Sequence, residues 1–324
     1  MRVAAFCFGR TILYWDMVLA LLAGLCFFLC FWSAYRANGG RARVLFALLP
    51  MAPLFMLTLS RLLYVCCYPE QFAAPAAFLD LSGGGFCLSG AVLGLLLAAA
   101  LIGAISPEDG TALLLDCAAP ALSLALALVR LGSLFNGGCR GKLILRDPRL
   151  FRLPFGAPDA GGEYRFAAFF VSALLFVLFF LLLLRRYARV YAGEKSVGKR
   201  GDVFLSFLLL YSAEEIVIDS VRNDASYFLF NAFVSVAQIL AGAALLAVLI
   251  IYARREIRAH GLRARSVLCL LLWTLSLGAA GLSEYLVQRH GNWQLSCYTL
   301  MSAAVLLMLL ATALLRRMSE RESG

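Results

Sequence analysis

Residues 166–185 read FAAFFVSALLFVLFFLLLLR. Ser172 is the single polar side chain before Arg185 closes the run. A helix rises ~1.5 Å per residue, so a stretch of this length crosses the ~30 Å of hydrocarbon in a bilayer. In lipid the backbone must satisfy its own hydrogen bonds, which makes a helix the expected element. Comparable runs recur along the chain. They predict nine spans, at about 12–35, 44–66, 86–106, 111–135, 166–185, 203–221, 228–252, 266–287 and 295–315. Of the 324 residues, 62% are apolar and 15% charged. That composition lies outside the range of soluble domains. The ten-residue alternation of a membrane β-barrel is absent. The expected fold is an all-α polytopic membrane protein, with the first span retained as a helix because it is too long for a signal-peptide core.

Charge suggests an orientation. With the N-terminus outside and the C-terminus cytoplasmic, the inner loops and tail collect Arg36, Arg41 and Arg43, the cluster from Arg185 to Arg200, the cluster from Arg254 to Arg265, and Arg316, Arg317 and Arg321. Short loops rich in Lys and Arg stay on the cytoplasmic side. The basic loop at 136–165, with Arg146, Arg149, Arg152 and Arg165, is the one segment opposing this. In a membrane protein a net charge of +10 points to anionic lipid and not to nucleic acid. The ten cysteines lie mostly within spans, without Cys-x-x-Cys spacing, and only His260 and His290 are present. Neither a metal site nor a cofactor is expected.

Ionisable groups inside spans are expensive and need partners. Arg61 falls in the second span and Arg130 near the end of the fourth. The sixth carries Glu214, Glu215 and Asp219, with Arg222 at its end. Tyr211, Glu215, Asp219 and Arg222, at i, i+4, i+8 and i+11, share one helix face. That face should look into the bundle, with Arg61 and Arg130 as partners. Either one of the two carboxylates should be protonated or each should be held by an arginine. One reading is a buried ion-pair network that fixes helix register. The other is a cavity for an anionic headgroup, where the planar fork of arginine suits phosphate. Glycine-rich segments at 82–90 and 132–141 mark tight turns or close backbone approach beside these charges.

These segments resemble a known family. Arg130-x-Gly132-x-x-x-Asn136-Gly137-x-x-x-Gly141 is similar to the R-I-G-N-F-I-N-G-E-x-x-G signature of prolipoprotein diacylglyceryl transferases. Gly84-Gly85-Phe86-Cys87-Leu88-Ser89-Gly90 resembles the family's GGxxFHGG, and Arg61-Leu62-Leu63-Tyr64-Val65 its R-x-x-Y-V. Leu210-Tyr211-Ser212 with Asp219 to Asp224 resembles LYG-x-x-RF-x-x-E-x-x-R-x-D, and Ser235 to Leu240 falls where a Gln-Leu-Ser segment opens the seventh span. The resemblance covers residues 12–252. It implies a transmembrane core over 1–252, with 136–165 as an outer head, and additional C-terminal helices over 253–324.

The family transfers diacylglyceryl from phosphatidylglycerol to a lipobox cysteine of a prolipoprotein at the outer face of the plasma membrane. The resemblance implies Arg130, Asp219, Glu215 and Tyr211 as catalytic residues. It implies Arg61, Asn136, Arg222, Ser89, Gly132, Gly137 and Gly141 as substrate-binding residues, with phosphatidylglycerol or another anionic lipid and a prolipoprotein signal peptide as partners. The chain also departs from the family pattern. Ser89 replaces the histidine, Glu215 replaces an arginine, and Ser133 and Gly138 replace the first Asn and the Glu of the signature. Phe170-Val171 stands for a Tyr-Glu pair. Loss of a transition-state cation is worth ~3–4 kcal/mol. Three functions fit these departures: a rebuilt transferase with Glu215 or Asp219 as base and Arg222 as replacement cation, lipid transfer to another acceptor, or binding of lipid or lipoprotein precursors without chemistry. A transporter is disfavoured, since no internal repeat is visible.

Overall fold

The computed structural model describes residues 3–8, 11–68, 72, 85–106, 110–142, 148–159, 161–191, 198–224, 228–229, 234–290 and 294–320. Among them are nine long helices: α1 (Trp15–Ala37), α2 (Ala42–Cys67), α3 (Leu88–Ile105), α4 (Thr111–Asn136), α5 (Ala168–Tyr191), α6 (Asp202–Val221), α7 (Val236–His260), α8 (Ala264–His290) and α9 (Gln294–Glu320). All but α6 are long and apolar enough to span a bilayer. The exception carries Asp202, Glu214, Glu215 and Asp219, and all four are buried. The chain is therefore an all-α polytopic membrane protein.

Two boundaries differ from the sequence expectation. The first span was expected from residue 12. Thr11–Tyr14 instead forms strand β2, antiparallel to β1 (Ala4–Phe8), and the helix begins at Trp15. The seventh span was expected over 228–252, whereas α7 starts at Val236. Its start is fixed by a capping box: the Gln238 N–H donates to the Ser235 hydroxyl at 3.1 Å, and the Ser235 N–H donates to the Gln238 amide oxygen at 3.0 Å. Ahead of it, β5 (Phe228–Leu229) pairs with β6 (Val234–Ser235).

The chain divides into two compact units. The first comprises residues 1–21, 126–179 and 205–324. One apolar cluster joins Leu209 of α6, Leu245 and Tyr252 of α7, Trp273 of α8 and Met308 and Leu315 of α9. A second cluster sets Ala280, Met301 and Ala304 against Val217 of α6. The C-terminal helices thus pack directly on α6. The segment after α4 is tied down by β3 (Gly156–Pro158) pairing with β4 (Tyr164–Phe166), and by Asp159, which pairs with Arg140 at 3.4 Å and Arg165 at 2.6 Å. The β1–β2 hairpin is pinned to the end of α4: the Val3 N–H donates to the Phe135 carbonyl at 3.1 Å, and Trp15 lies between the rings of Phe6 and Phe135.

The second unit comprises residues 22–125 and 180–204. Here α2 and α3 lie against each other, and at this crossing a Cβ on Gly94 would fall 2.4 Å from the Phe55 carbonyl oxygen. The Ser60 hydroxyl also donates to the Cys87 carbonyl at 2.7 Å. Asp116, fully buried in α4, accepts from the Phe204 N–H at 2.8 Å, the Gly201 N–H at 2.7 Å and the Tyr191 hydroxyl at 2.8 Å. One carboxylate thereby satisfies backbone donors at the start of α6 that have no partner within the helix. Asp116→Leu is expected to destabilise the protein by about 1–3 kcal/mol, the cost of leaving buried donors unmet. Thermal unfolding in detergent would show it, and an unchanged midpoint would refute the role.

Candidate functional site

The sequence-derived candidates on α4 and α6 meet in the first unit. Arg130, on the last turns of α4, donates from Nη2 to Glu215 Oε2 at 2.9 Å. Both are nearly dry, at 6% and 2% exposure. A turn further along α6, Asp219 accepts from the Ser235 hydroxyl and pairs with Arg222 Nη1 at 3.4 Å. Each of the two carboxylates on this face therefore has an arginine partner, Arg130 for Glu215 and Arg222 for Asp219. Tyr211 is buried two turns back, its ring stacked with Phe176 and Phe207.

The loop after α4 completes the arrangement. Gly137 adopts φ +80°, which lets the chain reverse immediately after Asn136. The Asn136 side chain accepts from the Gly138 N–H at 2.8 Å and donates to Asp16 at 3.3 Å. Gly141 forms an isolated antiparallel bridge with Arg222 and donates to the Phe166 carbonyl at 2.7 Å. A Cβ there would fall 2.8 Å from Cβ of Phe166. Gly132 lies beside the start of α1, with Asp16 the nearest neighbour.

Four participants were given no site role by sequence reasoning. Cys139 is buried in a left-handed conformation at φ 51°. Its N–H donates to Asp224 at 2.8 Å and its sulfur meets Arg130 Nη1 at 3.5 Å. Burial raises the Cys139 thiol above its ordinary range, although Arg130 and Arg222 oppose this. Asp224 pairs with Arg222 Nε at 3.1 Å. Burial pushes its carboxyl up, but Arg222 and the Cys139 N–H outweigh this and hold it below the usual carboxylate range. Its tie to the loop is therefore present at neutral pH and lost as acid protonates it. Glu214 accepts from the Ser172 hydroxyl. Ser235 serves both Asp219 and the cap of α7. Two signals were available: Ser235-x-x-Gln238 is a capping-box pattern, and Asp224 occupies the last acidic position of the α6 motif. Glu214 was marked as an ionisable group inside a span, whereas nothing local marks Cys139.

Two candidates belong to the second unit. Arg61, expected beside the carboxylates of α6, donates to the Gly85 carbonyl at 3.0 Å and lies over the rings of Phe72 and Phe86. Gly85, at φ +82°, brings its backbone so close that a Cβ would fall 2.4 Å from Nη1 of Arg61. Ser89 is buried in the first turn of α3. Among the described residues, no cluster of three or more His, Cys, Asp or Glu side chains is arranged to hold a metal.

Residues 4–254 match the prolipoprotein diacylglyceryl transferase family. The chain belongs to that family. Relatives named phosphatidylglycerol–prolipoprotein diacylglyceryl transferase include one from Trichormus variabilis, 28% identical over 172 residues, covering 51% of this chain and 59% of the relative. Another, from Shouchella clausii, is 28% identical over 245 residues, covering 72% and 82%. One from Lactococcus lactis is 27% identical over 174 residues, covering 51% and 62%. The match with the first and third thus spans less than two thirds of those relatives' own length. The family match ends inside α7, so α8 and α9 lie outside it. Arg130, Asn136, Gly137 and Gly141 match the resembling signature from the last turns of α4 into the segment that follows it. Glu215, which stands where the family has an arginine, is the ion-pair partner of Arg130.

Proposed function

We propose that the protein transfers the diacylglyceryl group of phosphatidylglycerol to the lipobox cysteine of a prolipoprotein. The observation that carries this reading is the pairing of the signature arginine, Arg130, with Glu215, one helical turn from the Asp219–Arg222 pair. Two guanidiniums and a carboxylate base are the groups the chemistry needs. The peptide thiol gives its proton to Asp219, sulfur bonds to the glyceryl carbon, and the bond from that carbon to phosphate oxygen breaks. Glycerol-1-phosphate leaves with the bonding electrons, its charge met by Arg130 and Arg222. Asn136 orients the headgroup, and Tyr211 and Glu215 hold Arg130 in place. Gly132, Gly137 and Gly141 shape the backbone around it. The distribution of Lys and Arg supports a plasma-membrane topology with the N-terminus outside and the C-terminus cytoplasmic, which sets this site toward the outer leaflet.

The test is direct. Purified protein is given phosphatidylglycerol and a lipobox peptide, and the peptide mass is followed. A gain of one diacylglyceryl group, absent with a Cys→Ser peptide, supports the reading. Asp219→Asn should reduce the rate ~10²–10⁴-fold, the usual contribution of a general base. No gain, with an active family member run alongside, overturns it. Engagement of Arg130 by Glu215 favours a second reading, binding of an anionic lipid without chemistry, and the same assay separates the two.

A further inference from the structure

Both arginines of the site are committed to carboxylates. Arg130 holds Glu215, and Arg222 is shared between Asp219 and Asp224. With Glu214 also buried nearby, two guanidiniums face four carboxyl groups, a poor reception for a phosphodiester anion. A third cation stands beside them. Lys142 follows Gly141, the residue bridged to Arg222, and its backbone carbonyl accepts from the Phe166 N–H at 3.0 Å. Its ammonium makes no ion pair with any described carboxylate and lies 5.5 Å from the ring centre of Tyr298.

Tyr298 belongs to α9, outside the family match. Its hydroxyl donates to the Ser220 carbonyl at 3.3 Å, next to Asp219. From α8, buried Glu284 acts on Lys142 electrostatically. One Glu284 oxygen is held by Gln288 at 2.9 Å, and the other, Oε2, is buried without a hydrogen-bond partner among the described residues. Burial pushes the Lys142 ammonium below the ordinary lysine range and Glu284 pulls it back. A bound anion would satisfy this half-buried charge directly.

We propose that Lys142, carried on the ring of Tyr298 beside Glu284, is a further phosphate-binding residue of this site, and that α8 and α9 supply the surroundings of a cation lost where Glu215 replaces arginine. The proposal rests on the lipid-phosphate reading of the site, and its ligand is a phosphate or phosphodiester anion. Full-length protein in nanodiscs is titrated with phosphatidylglycerol, with the soluble sn-glycerol-1-phosphate, and with diacylglycerol, which lacks phosphate. Transfer kinetics are followed in parallel.

Lys142→Met is expected to weaken phosphatidylglycerol binding tenfold or more and to raise its KM more than it lowers kcat, with diacylglycerol unaffected. Lys142→Arg should restore most of the affinity. Equal weakening toward glycerol-1-phosphate assigns the contact to the phosphate alone, and weakening toward the lipid only assigns it to the intact headgroup. Tyr298→Leu, which leaves the charge but removes the ring, should weaken binding several-fold and decides the question if Lys142→Met does not fold. Unaltered phosphatidylglycerol affinity in a folded Lys142→Met protein, or failure of arginine to rescue, overturns the proposal. If the wild-type protein binds the lipid but transfers nothing, the transferase reading falls and the binding arms still decide the role of Lys142.

Discussion

Arg130→Ala is expected to abolish transfer and to destabilise the fold in the same stroke. The guanidinium is the partner of Glu215 and touches the Cys139 sulfur, so its removal strands a carboxylate in a dry interior. Breaking one side of a buried pair costs about 3–5 kcal/mol, because the remaining charge has no compensation. A single alanine variant therefore mixes chemistry with stability, and a second substitution separates them. Arg130→Lys keeps the charge but loses the planar fork that grips carboxylate and phosphate together. Its unfolding midpoint should fall much less than that of the alanine variant, while turnover drops ~10²–10³-fold, as when one transition-state donor is lost. Wild-type turnover in the lysine variant would remove Arg130 from the chemistry and leave it a structural ion pair.

The second large effect is steric. At the crossing of α2 and α3, a Cβ on Gly94 would also fall 2.6 Å from Cα of Met56, and one on Gly90 2.5 Å from the Leu59 carbonyl oxygen. The obstructing atoms are backbone and cannot swing aside. Small residues four apart are how membrane helices approach this closely when no hydrophobic force drives them together. Overpacking usually costs 1–3 kcal/mol, and Gly94→Leu should exceed that range because the two helices must part. Loss of the monodisperse folded species by size exclusion, with a collapsed melting transition, is the expected observation. Gly132→Ala is the control, since its Cβ would meet nothing closer than 3.7 Å. A Gly94→Leu protein as stable as this control would disprove the close crossing.

The positions of most helices were legible because a long apolar run is a local signal that tertiary context seldom overrules. Legibility failed where the signal was short. The chain from Phe228 to Ser235 is apolar enough to extend a span, yet Phe228–Leu229 pairs with Val234–Ser235 as antiparallel strands, and a two-residue polar pattern decides where α7 begins. The face of α6 was also readable, since helix geometry dictates that Glu215 and Asp219 stack. Which arginine meets which carboxylate was not, because Arg130 and Glu215 are far apart in sequence and only the fold joins them. Arg61 had the same apparent claim on those carboxylates, and its contact with the Gly85 carbonyl was equally unreadable. Cys139 was hidden for another reason: a thiol in a loop follows no periodicity, and its left-handed backbone is invisible in the residue letters.

The packing of α8 and α9 on α6 changes the solvent of that helix. In a chain ending at the family boundary, the flank of α6 bearing Leu209 and Val217 would meet acyl chains. The apolar side chains would lose little, since lipid tails are about as apolar as leucine. The polar groups would fare worse. Ser206, which now accepts from Arg316 at 3.2 Å, and the Ser220 carbonyl, which holds the Tyr298 hydroxyl, would be turned toward hydrocarbon without those partners. The helices α8 and α9 are thus a proteinaceous annulus that keeps fluid lipid away from one side of α6, and the bilayer composition around this protein would reach that side only through them.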